Sequence, residues 1–402
     1  MPADFTKNRR KVAVVIPKYG LVGGAEQFVA ELTERIARNT AYDIHVLANR
    51  WKVLSDRVTF HKVPVIFFPK FLTTPSFAWS ADRIIRAEGF DLIHAHDRIF
   101  AADLFTMHGI PHRLWIEEVR RKRLSLYDRA TAWTEERLIR NPRCRLFLSV
   151  SSLAKEYFLK AYPETTGVEV MHPGVDLDRY DNPQKHALRG ETRRRHGISP
   201  SETLILFVSM NFEIKGLDHL LAGLSVLRSR EAGRPWRLMV VGRGDIRKYQ
   251  RIGDGLGIGD RIVFTGALER EELVRMYGAA DLFCMLSEFD TFGLTVLEAM
   301  ASSLPVVVSA HVGAKDLVEQ GGNGFVLERP QDSAATADVL ARLLDGNQRT
   351  QMSKEALHTA RAHGWEAAAQ RMLAAYERLL HPRGREENVQ VPTSRLPAEY
   401  SR

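Results

Sequence analysis

Short apolar runs alternate with helical stretches along nearly the whole chain. In most of these runs successive positions are apolar, which is the pattern of parallel strands buried on both faces. The helical periodicity between them indicates crossover helices, so the pattern predicts an α/β fold with doubly wound parallel sheets. The predicted strands are residues 11–16, 43–47, 58–63, 91–94, 104–107, 144–150 and 169–171 in the first half, and 203–208, 237–241, 262–265, 281–286, 305–309 and 325–327 in the second.

The sequence Pro173-Gly174-Val175-Asp176 interrupts this alternation and predicts a linker near residues 173–185. A chain of 402 residues is longer than a single core usually supports, so we expect two domains, over residues 1–180 and 181–364. Residues 353–380 predict a terminal helical pair, of which the helix 365–380 packs back on the first domain. The polar, proline-interrupted segment 382–402 is predicted to be disordered.

The bulk composition is that of an ordinary soluble protein, with 45% hydrophobic and 26% charged residues. Its two cysteines, Cys144 and Cys284, fall in different predicted domains, so no disulfide is implied and a reducing compartment is expected. No apolar run approaches the roughly 18 residues that a membrane span needs. We therefore predict a cytoplasmic protein, with peripheral contact at the inner face of the membrane as an option.

The net charge of +8 indicates an anionic partner. Basic residues concentrate in segment 111–145, which holds ten Lys or Arg against five acids and predicts one or two amphipathic helices. Such a segment suits an anionic lipid surface or a phosphorylated acceptor, and it equally suits a solvated helical hairpin. No nucleic-acid motif accompanies it, so no nucleic-acid partner is predicted.

Residues 281–305 place an apolar strand, a polar loop and a helix in succession. Because ligands of open α/β sheets bind beyond the carboxyl ends of strands, this loop is a predicted binding site. Free backbone N–H groups of residues 292–295 favour a diphosphate, through hydrogen bonds and the helix dipole. A carboxylate only accepts hydrogen bonds, so Glu298 is suited to hold both hydroxyls of a ribose while Asp290 holds those of a sugar.

The acids Asp290 and Glu298, with Phe292, Gly293 and Leu294 between them, resemble the E-x7-E signature of retaining glycosyltransferases of family 4. Asp stands here in place of the first Glu. The resemblance covers almost the full chain and implies the GT-B architecture, in which two doubly wound Rossmann-like domains face each other across a cleft. It implies that Asp290, Thr291 and the backbone through Leu294 orient the donor sugar.

A second motif, residues 210–216, directly follows the predicted strand 203–208. By resemblance, Lys215 matches the lysine of the family's R-x4-K-G pattern, which neutralises charge on the leaving diphosphate. Met210 replaces the arginine of that pattern, a feature of the bacterial lipopolysaccharide core glucosyltransferases that this chain resembles. Arg243, which follows Gly242, is the candidate for the missing positive charge.

In the first domain, glycines Gly20, Gly23 and Gly24 follow the first strand without forming a dinucleotide fingerprint. The sequence from Gly23 to Glu26 is similar to the family's GGAE loop, whose backbone approaches the donor from across the cleft. His108 follows strand 104–107, where family members place a histidine near the reacting sugar. A histidine can share a proton there near neutral pH, or simply bond at a strand end.

His94, His96 and Asp97 end another predicted strand and are interpreted as acceptor-side lining, because no third metal ligand stands at suitable spacing. Asp176 and Asp178 form a D-x-D sequence, but within the predicted linker. We therefore predict no metal and no other cofactor, and we assign the role of a cation to Lys215 and the helix N-terminus.

These observations together predict a retaining glycosyltransferase. It would move a hexose from a nucleotide diphosphate sugar, by analogy a UDP-sugar, to a cell-envelope glycan or lipid-linked acceptor such as lipopolysaccharide core. One alternative is a GT-B nucleotide-sugar epimerase that transfers to no second sugar. Another is a basic membrane or nucleic-acid adaptor with a degenerate donor site, which would bind no donor.

Overall fold

The computed structural model describes residues 9–21, 23–181, 184–231 and 233–381. Segment 382–402, predicted to be disordered, lies outside the described residues. Each of the predicted strands coincides with an observed one. The first domain contains β1 (Arg10–Val15), β2 (Lys18–Tyr19), β3 (Tyr42–Ala48), β4 (Arg50–Trp51), β5 (Val58–Lys62), β6 (Leu92–Ala95), β7 (Leu104–Met107), β8 (Leu146–Ser149) and β9 (Val168–Val170).

The main sheet of this domain is parallel, in the order β5-β3-β1-β6-β7-β8-β9. The chain moves outward from β1 in one direction and then from β6 in the other, which makes the β1/β6 boundary the switch point of the sheet. Ligands of such sheets bind at that point, beyond the carboxyl ends of the strands. The short strands β2 and β4 pair separately, which the sequence pattern does not predict.

Helices cover both faces of the first sheet. They are α1 (Gly24–Ile36), α2 (Thr73–Glu88), α3 (His112–Leu114), α4 (Leu126–Ile139) and α5 (Ser152–Ala161), with a 3-10 turn at Lys70–Leu72 and a π-helical turn at Trp115–Val119. The basic segment 111–145 therefore holds one full helix, α4, which begins at a capping box between Ser125 and Asp128.

The second domain has a six-stranded parallel sheet. Its strands are β10 (Thr203–Ser209), β11 (Trp236–Gly242), β12 (Ile262–Gly266), β13 (Leu282–Met285), β14 (Val306–Ser309) and β15 (Gly324–Leu327). Their order is β12-β11-β10-β13-β14-β15, so β10 and β13 flank the switch point. Every residue of β10, β13 and β14 is buried, as expected for strands covered on both faces. The predicted α/β class with two parallel sheets is confirmed.

The remaining helices are α6 (Leu177–Tyr180), α7 (Gln184–Arg195), α8 (Leu217–Arg230), α9 (Ile246–Gly255), α10 (Arg270–Ala279), α11 (Leu294–Ala301), α12 (Ser333–Leu343), α13 (Gly346–Arg361) and α14 (Trp365–Leu380). Short 3-10 turns lie at Gly259–Arg261 and Gly313–Leu317. None of the helices in the described part of the chain is long and apolar enough to cross a membrane. Both cysteines are buried and unpaired.

The chain passes between the domains twice, and the two passages lie side by side. The Val175 N–H donates to His363 O (3.0 Å), and the Trp365 N–H donates to Val175 O (3.3 Å). The second passage leads into α14, whose Trp365 packs edge-on against Phe28 of α1 at 5.8 Å. The apolar face of α14 is thus part of the first domain's core.

Candidate active site

A cavity of about 540 Å³ lies between the two domains, at the carboxyl ends of strands from both sheets. Side chains and backbone of the two domains face each other across it. The residues lining it are Thr74, Asp97, Arg98, Gly109, Ile110, His112, Trp115, Tyr127 and Thr131 from the first domain, and Asn211, Ile214, Lys215, Phe289, Asp290 and Thr291 from the second.

Lys215 and Asp290 meet at this cavity, although 75 positions separate them in sequence. The Lys215 ammonium donates to Asp290 Oδ2. Lys215 is presented by the turn after β10, which Gly216 closes in the left-handed region (φ 73°). A β-carbon on Gly216 would lie 1.8 Å from Leu286 O, so only glycine fits there.

The loop that carries Asp290 is held by backbone hydrogen bonds to the segment after β14. The Asp290 N–H donates to His311 O, and the Gly313 N–H donates to Asp290 O, each at 2.9 Å. Asp290 Oδ1 accepts from the Phe292 N–H at 3.2 Å. This last bond corrects one expectation, since the Phe292 N–H is not free for a diphosphate in this structure.

Gly293 is the residue preceding α11 and adopts a left-handed conformation (φ 90°). Its neighbours leave no room for a side chain, because a β-carbon would lie 2.8 Å from Met285 Cε and 3.1 Å from Val312 Cγ1. The glycine thus allows the loop to turn sharply into α11. The N-terminal end of this helix then points to the cleft side of the sheet, where its dipole favours an anion.

Glu298, one turn further along α11, is held by two buried tyrosines. The Tyr277 hydroxyl donates to Glu298 Oε2 at 3.0 Å, and the Tyr180 hydroxyl forms a second hydrogen bond to the carboxylate. Burial raises the pKa of Glu298, while both tyrosines, Arg270 and Arg179 favour the charged form. A carboxylate has about four acceptor positions, so both oxygens retain capacity for ribose hydroxyls.

Three histidines form a stack behind the first-domain wall of the cleft. His96 Nδ1 and His108 Nε2 are 3.0 Å apart, so one ring donates to the other. His96 and His108 both line a second cavity of about 300 Å³, which shares Asp97 and Arg98 with the first. Burial lowers the pKa of His108 to about 3. The ring is therefore neutral near pH 7 in this structure, and the predicted sharing of a proton with the donor stays a prediction.

His94 is not part of the cleft lining. Its ring is 1% exposed, with Nδ1 at 2.8 Å from Tyr376 Oη and Nε2 at 2.8 Å from Thr106 Oγ1. Because both ring nitrogens are engaged inside the core, the acceptor-side assignment of His94 is wrong. The ring instead supports His96, whose centroid lies 3.8 Å away.

Asp97 lies on the cavity wall together with Arg98, as the lining of both cavities shows. Arg98 donates to Asp97 Oδ1 (3.2 Å) and to Glu135 Oε2 (3.0 Å). Burial disfavours the guanidinium charge, yet these two carboxylates raise the pKa of Arg98. Glu135 is fully buried and also accepts from the His112 N–H, so the group forms a rigid, charged part of the wall.

The first-domain glycines lie at the start of α1. Gly20 has a positive φ of 65°, and the Glu26 carboxylate folds over Gly23. A β-carbon on Gly24 would lie 3.7 Å from Leu294 Cδ1 of the second domain, so this loop faces α11 across the cleft. Sequence reasoning predicted that approach from the GGAE resemblance.

Gly242 ends β11 beside β10, and Arg243 follows it. A β-carbon on Gly242 would lie 1.7 Å from Ser209 O, and the Arg243 N–H donates to the same oxygen at 3.0 Å. The Arg243 side chain is exposed and lines neither of the two cavities described above. Its predicted role as a second positive charge for the diphosphate stays a prediction.

Two hydrogen bonds join the domains at the site itself. Thr291 Oγ1 donates to His108 O (3.0 Å), and Ser151 Oγ donates to Thr291 O (2.6 Å). The loop that carries Asp290 is therefore attached directly to the strand end that carries His108. The two halves of the predicted site are thus brought together.

The described part of the chain contains no group of three or more His, Cys, Asp or Glu side chains that suits a metal ion. Asp176, the first acid of the D-x-D sequence, accepts from the Arg179 N–H at 3.2 Å and caps α6. This bond gives Asp176 a structural role in the passage between the domains.

Sequence reasoning missed several residues of the site. Tyr180 and Tyr277 occupy apolar positions of the sequence pattern, and nothing in their local sequence indicates that they form hydrogen bonds to Glu298. Arg98 and Glu135 were likewise missed. Glu135 is a charged residue among the buried positions of α4, and such a residue indicates a buried partner of opposite charge.

Two doubly wound domains facing across a cleft define the GT-B class of glycosyltransferases. The crystal structure of WaaG, a glycosyltransferase involved in lipopolysaccharide biosynthesis, matches 90% of this chain and 99% of its own with a TM-score of 0.73 and 20% identity. The structure of HepE from Anabaena in complex with UDP and glucose matches 92% of this chain and 100% of its own, with a TM-score of 0.67 and 18% identity. These likenesses confirm the predicted GT-B fold.

Family models match both halves of the chain. The model for Glycosyltransferase Family 4 matches residues 22–179, and the model for glycosyl transferases group 1 matches residues 189–359. Together the two models cover most of both domains and both describe glycosyltransferases, so the predicted class of enzyme is confirmed.

Proteins that are similar to this chain in sequence are also named glycosyltransferases. A D-inositol 3-phosphate glycosyltransferase of Nocardia farcinica is 32% identical over 220 residues, which are 53% of this chain and 48% of that protein. An uncharacterized glycosyltransferase of Methanocaldococcus jannaschii is 27% identical over 343 residues, covering 81% of this chain and 87% of that one. The match thus spans about half the length of the first of these relatives.

Proposed function

We propose that this glycosyltransferase moves a hexose from a UDP-sugar to a glycan or lipid-linked acceptor, with retention of the anomeric configuration. The observation that carries the proposal is the pairing of Lys215 with Asp290 at a cavity lined by both domains. A cation and a carboxylate at the same point suit the two parts of the donor, its diphosphate and its sugar.

Lys215 is the group that meets the diphosphate. A diphosphate carries more negative charge than one carboxylate, so it is expected to draw the ammonium away from Asp290. Asp290 is then free to accept hydrogen bonds from the hydroxyls of the donor sugar. The N-terminus of α11 adds partial positive charge, which stabilises the leaving group without a metal ion.

In this proposal Glu298 holds the ribose of the nucleotide. Its carboxylate is oriented by Tyr277, and bidentate hydrogen bonds to two ribose hydroxyls use acceptor positions that this tyrosine leaves open. His108, as a neutral ring, contacts the sugar from the first domain as a hydrogen-bonding group and not as an acid.

In the proposed reaction the acceptor hydroxyl oxygen forms a bond to the anomeric carbon, on the face from which the diphosphate leaves. The bond between that carbon and the phosphate oxygen breaks, and the departing oxygen takes the hydroxyl proton. No side-chain nucleophile takes part. The wall formed by Asp97 and Arg98 is the acceptor side of the cavity.

The choice of UDP is supported by HepE, whose structure contains UDP and glucose, and which shares this fold at 18% identity. The choice of an envelope glycan acceptor is supported by the likeness to WaaG. A lipopolysaccharide core acceptor is the specific form of this proposal.

The test is the melting temperature of the purified protein with UDP, GDP, ADP and dTDP, each in the presence of EDTA. A ligand that binds only the native state raises the melting temperature, by an amount equivalent to about 2.7 kcal/mol at a concentration of 100 Kd. A shift with UDP alone supports the proposed donor class and a metal-independent site. No shift with any nucleotide in EDTA would overturn it, and so would a shift with UDP that appears only after an excess of Mg²⁺ is added.

A second measurement separates transfer from epimerisation. The protein is incubated with UDP-glucose or UDP-galactose, with and without an acceptor glycan, and free UDP is measured. A transferase releases UDP in proportion to glycosylated acceptor. Conversion of the donor sugar without release of UDP would favour the epimerase.

A further inference from the structure

One face of the first domain exposes large apolar side chains next to a run of basic residues. The most exposed members of this aromatic–basic face lie in the loop before α2 and at the start of α4. Their exposed fractions are 51% for Ile66, 60% for Phe67, 89% for Phe68, 39% for Phe71 and 69% for Leu126. Clustered exposed aromatics on a soluble domain mark an interaction surface.

The two parts of this face are joined to each other. The Lys70 ammonium lies 4.8 Å from the centroid of the Tyr127 ring, and Thr74 Oγ1 lies 3.1 Å from Thr131 Oγ1. Loop and α4 therefore form one surface. Trp133, 49% exposed, stands two helical turns beyond Leu126 and extends it along α4.

The basic part is the run Arg120, Arg121, Lys122 and Arg123, which leads into α4. All four side chains are exposed, and within the described residues none of them forms an ion pair. Of the neighbouring acids, Glu117 is exposed and also forms no ion pair among the described residues, whereas two others are paired. Glu118 pairs with Lys160 (2.7 Å) and Glu136 with Arg140 (2.9 Å). The free charge of this face is therefore positive.

We propose that the aromatic–basic face docks on the surface of an anionic lipid bilayer. Phe67 and Phe68 insert at the level of the headgroups, where aromatic rings are favoured, and the run 120–123 attracts anionic lipids. An acidic protein would complement the charges alone. The combination of exposed phenylalanines with unpaired cations favours the bilayer, because a lipid surface offers both an apolar layer and a negative one.

The position of the face suggests what this docking achieves. Thr74, Tyr127 and Thr131, which join its two parts, also line the cavity between the domains. A lipid-linked acceptor held in the bilayer would therefore reach the cavity directly from the docked face. This consequence rests on the proposed transfer to such an acceptor, whereas the docking itself does not.

The test is binding of the full chain to vesicles of phosphatidylglycerol and phosphatidylethanolamine, with phosphatidylcholine vesicles for comparison. Binding to the anionic vesicles is expected, with loss at about 1 M salt, where charges are screened within about 3 Å. The double variant Arg121→Glu/Lys122→Glu should lower the partition coefficient about 30-fold or more, since each cation near the surface contributes about fivefold. Phe67→Ser/Phe68→Ser should lower it about tenfold or more.

Two control variants show whether the effect belongs to this face. Ile246→Ser removes an exposed apolar side chain (37% exposed) from α9 of the second domain. Arg247→Glu/Arg251→Glu reverses two exposed charges on the same helix. Both controls should bind vesicles as the unchanged protein does. All variants should keep the nucleotide-dependent rise in melting temperature, which reports the donor site and the fold separately from docking.

The proposal is supported if the unchanged protein binds anionic vesicles, if either variant of the aromatic–basic face binds them more weakly, and if both controls bind them as the unchanged protein does. Absence of vesicle binding by the unchanged protein would overturn it, whatever the nucleotide result. Equal loss in the controls would also overturn it, because the charge of the whole molecule would then explain the binding. A third outcome is that the unchanged protein binds no vesicles but self-associates in sedimentation experiments, and that Phe67→Ser/Phe68→Ser abolishes this self-association. The face would then bind a second copy of the chain.

Discussion

At the scale of single residues, the site depends on charged groups that hold one another in place. Lys215 is held by Asp290, Glu298 by Tyr277, and Arg98 by Glu135. Each pair joins residues that are distant in sequence, and Lys215, Asp290 and Arg98 line the cavity between the domains. The consequence is a preorganised arrangement, which lowers the cost of orienting groups when substrate binds.

Replacing Glu298 should weaken donor binding. Glu298→Ala removes hydrogen bonds to ribose from a charged acceptor, each of which contributes about 1.5–3 kcal/mol. We expect the Kd for UDP to rise at least about tenfold, measured by isothermal titration calorimetry. Tyr277→Phe is the matched control, since it removes only one bond to the carboxylate, and its effect should be smaller. An unchanged Kd for Glu298→Ala would remove Glu298 from the donor site.

Replacing Lys215 should act mainly on turnover. Lys215→Ala removes the cation that stabilises the leaving diphosphate, so kcat should fall by about 10²- to 10³-fold, with a smaller change in donor affinity. Steady-state kinetics with the UDP-sugar measure both. Lys354→Ala, which removes an exposed lysine from α13, should leave kcat unchanged. If the two variants turn over alike, Lys215 has no role in the reaction.

The pH profile should show no titration of His108 near neutrality. With its pKa lowered to about 3 by burial, the ring gains a proton only in acid, several pH units below its ordinary titration range. The kcat/KM should therefore carry no histidine step between about pH 5 and 8. The variant His108→Gln should have a lower rate and a profile of the same shape. An acid limb near pH 6.5 that disappears in this variant would contradict a neutral His108.

At the scale of elements, tight glycine turns decide where the loops after β10 and β13 place their side chains. Gly216 and Gly293 both adopt left-handed conformations, with φ of 73° and 90°. They turn the chain sharply into α8 and α11, so Lys215 and Asp290 are delivered to one point. The strands fix where the two loops begin, and the glycine turns fix the direction in which Lys215 and Asp290 point.

A side chain at Gly216 should therefore destabilise the second domain. In Gly216→Ala the added carbon meets Leu286 O at 1.8 Å in a left-handed conformation, which should cost about 1–3 kcal/mol or more. The free energy of unfolding in urea measures this. Gly255→Ala is the matched control, because nothing lies within 4 Å of its β-carbon position and it ends α9 without a left-handed φ. Equal stability of the two variants would show that the turn adapts.

At the scale of the whole molecule, hydrogen bonds between the domains define the cleft. Asp316 of the second domain accepts from the Ser152 N–H (2.6 Å) and lies 3.0 Å from His172 Nε2, both of the first domain. Thr291 and Ser151 add further contacts beside the site. The width of the cavity therefore depends on a few polar contacts as well as on apolar packing.

The contribution of Asp316 should depend on pH. Although burial acts to raise it, hydrogen bonds from His172 and Ser152 lower the pKa of Asp316 below its ordinary 3.8. A depressed carboxyl pKa stabilises the native state above the unfolded pKa, and this stabilisation is lost as the pH falls through the folded value. Asp316→Asn should thus lower the free energy of unfolding by about 2 kcal/mol at pH 7.

The measurement is the melting temperature of both proteins as a function of pH. The difference between them should be constant from about pH 5 to 8 and should shrink below about pH 4. A difference that persists unchanged at low pH would mean that packing, and not the charge of Asp316, holds the domains together.

The sequence by itself determined the sheets, the class of enzyme and the second-domain residues of the candidate site. Strands such as 203–208 and 281–286 are visible because burial on both faces imposes continuous apolar runs, which is a local requirement. Asp290, Gly293 and Glu298 lie within nine residues of one another, so their relation is preserved in the linear order.

Only the tertiary structure decided which distant groups meet. It joined Lys215 to Asp290, Tyr277 to Glu298 and Thr291 to His108, and it removed His94 from the cleft wall by burying its ring. It also brought the segment that follows Phe67 beside α4, the helix into which the basic run 120–123 leads. The physical reason is that hydrogen bonds and side-chain exposure depend on which distant segments of the chain lie next to each other. The local periodicity of the sequence does not contain that information.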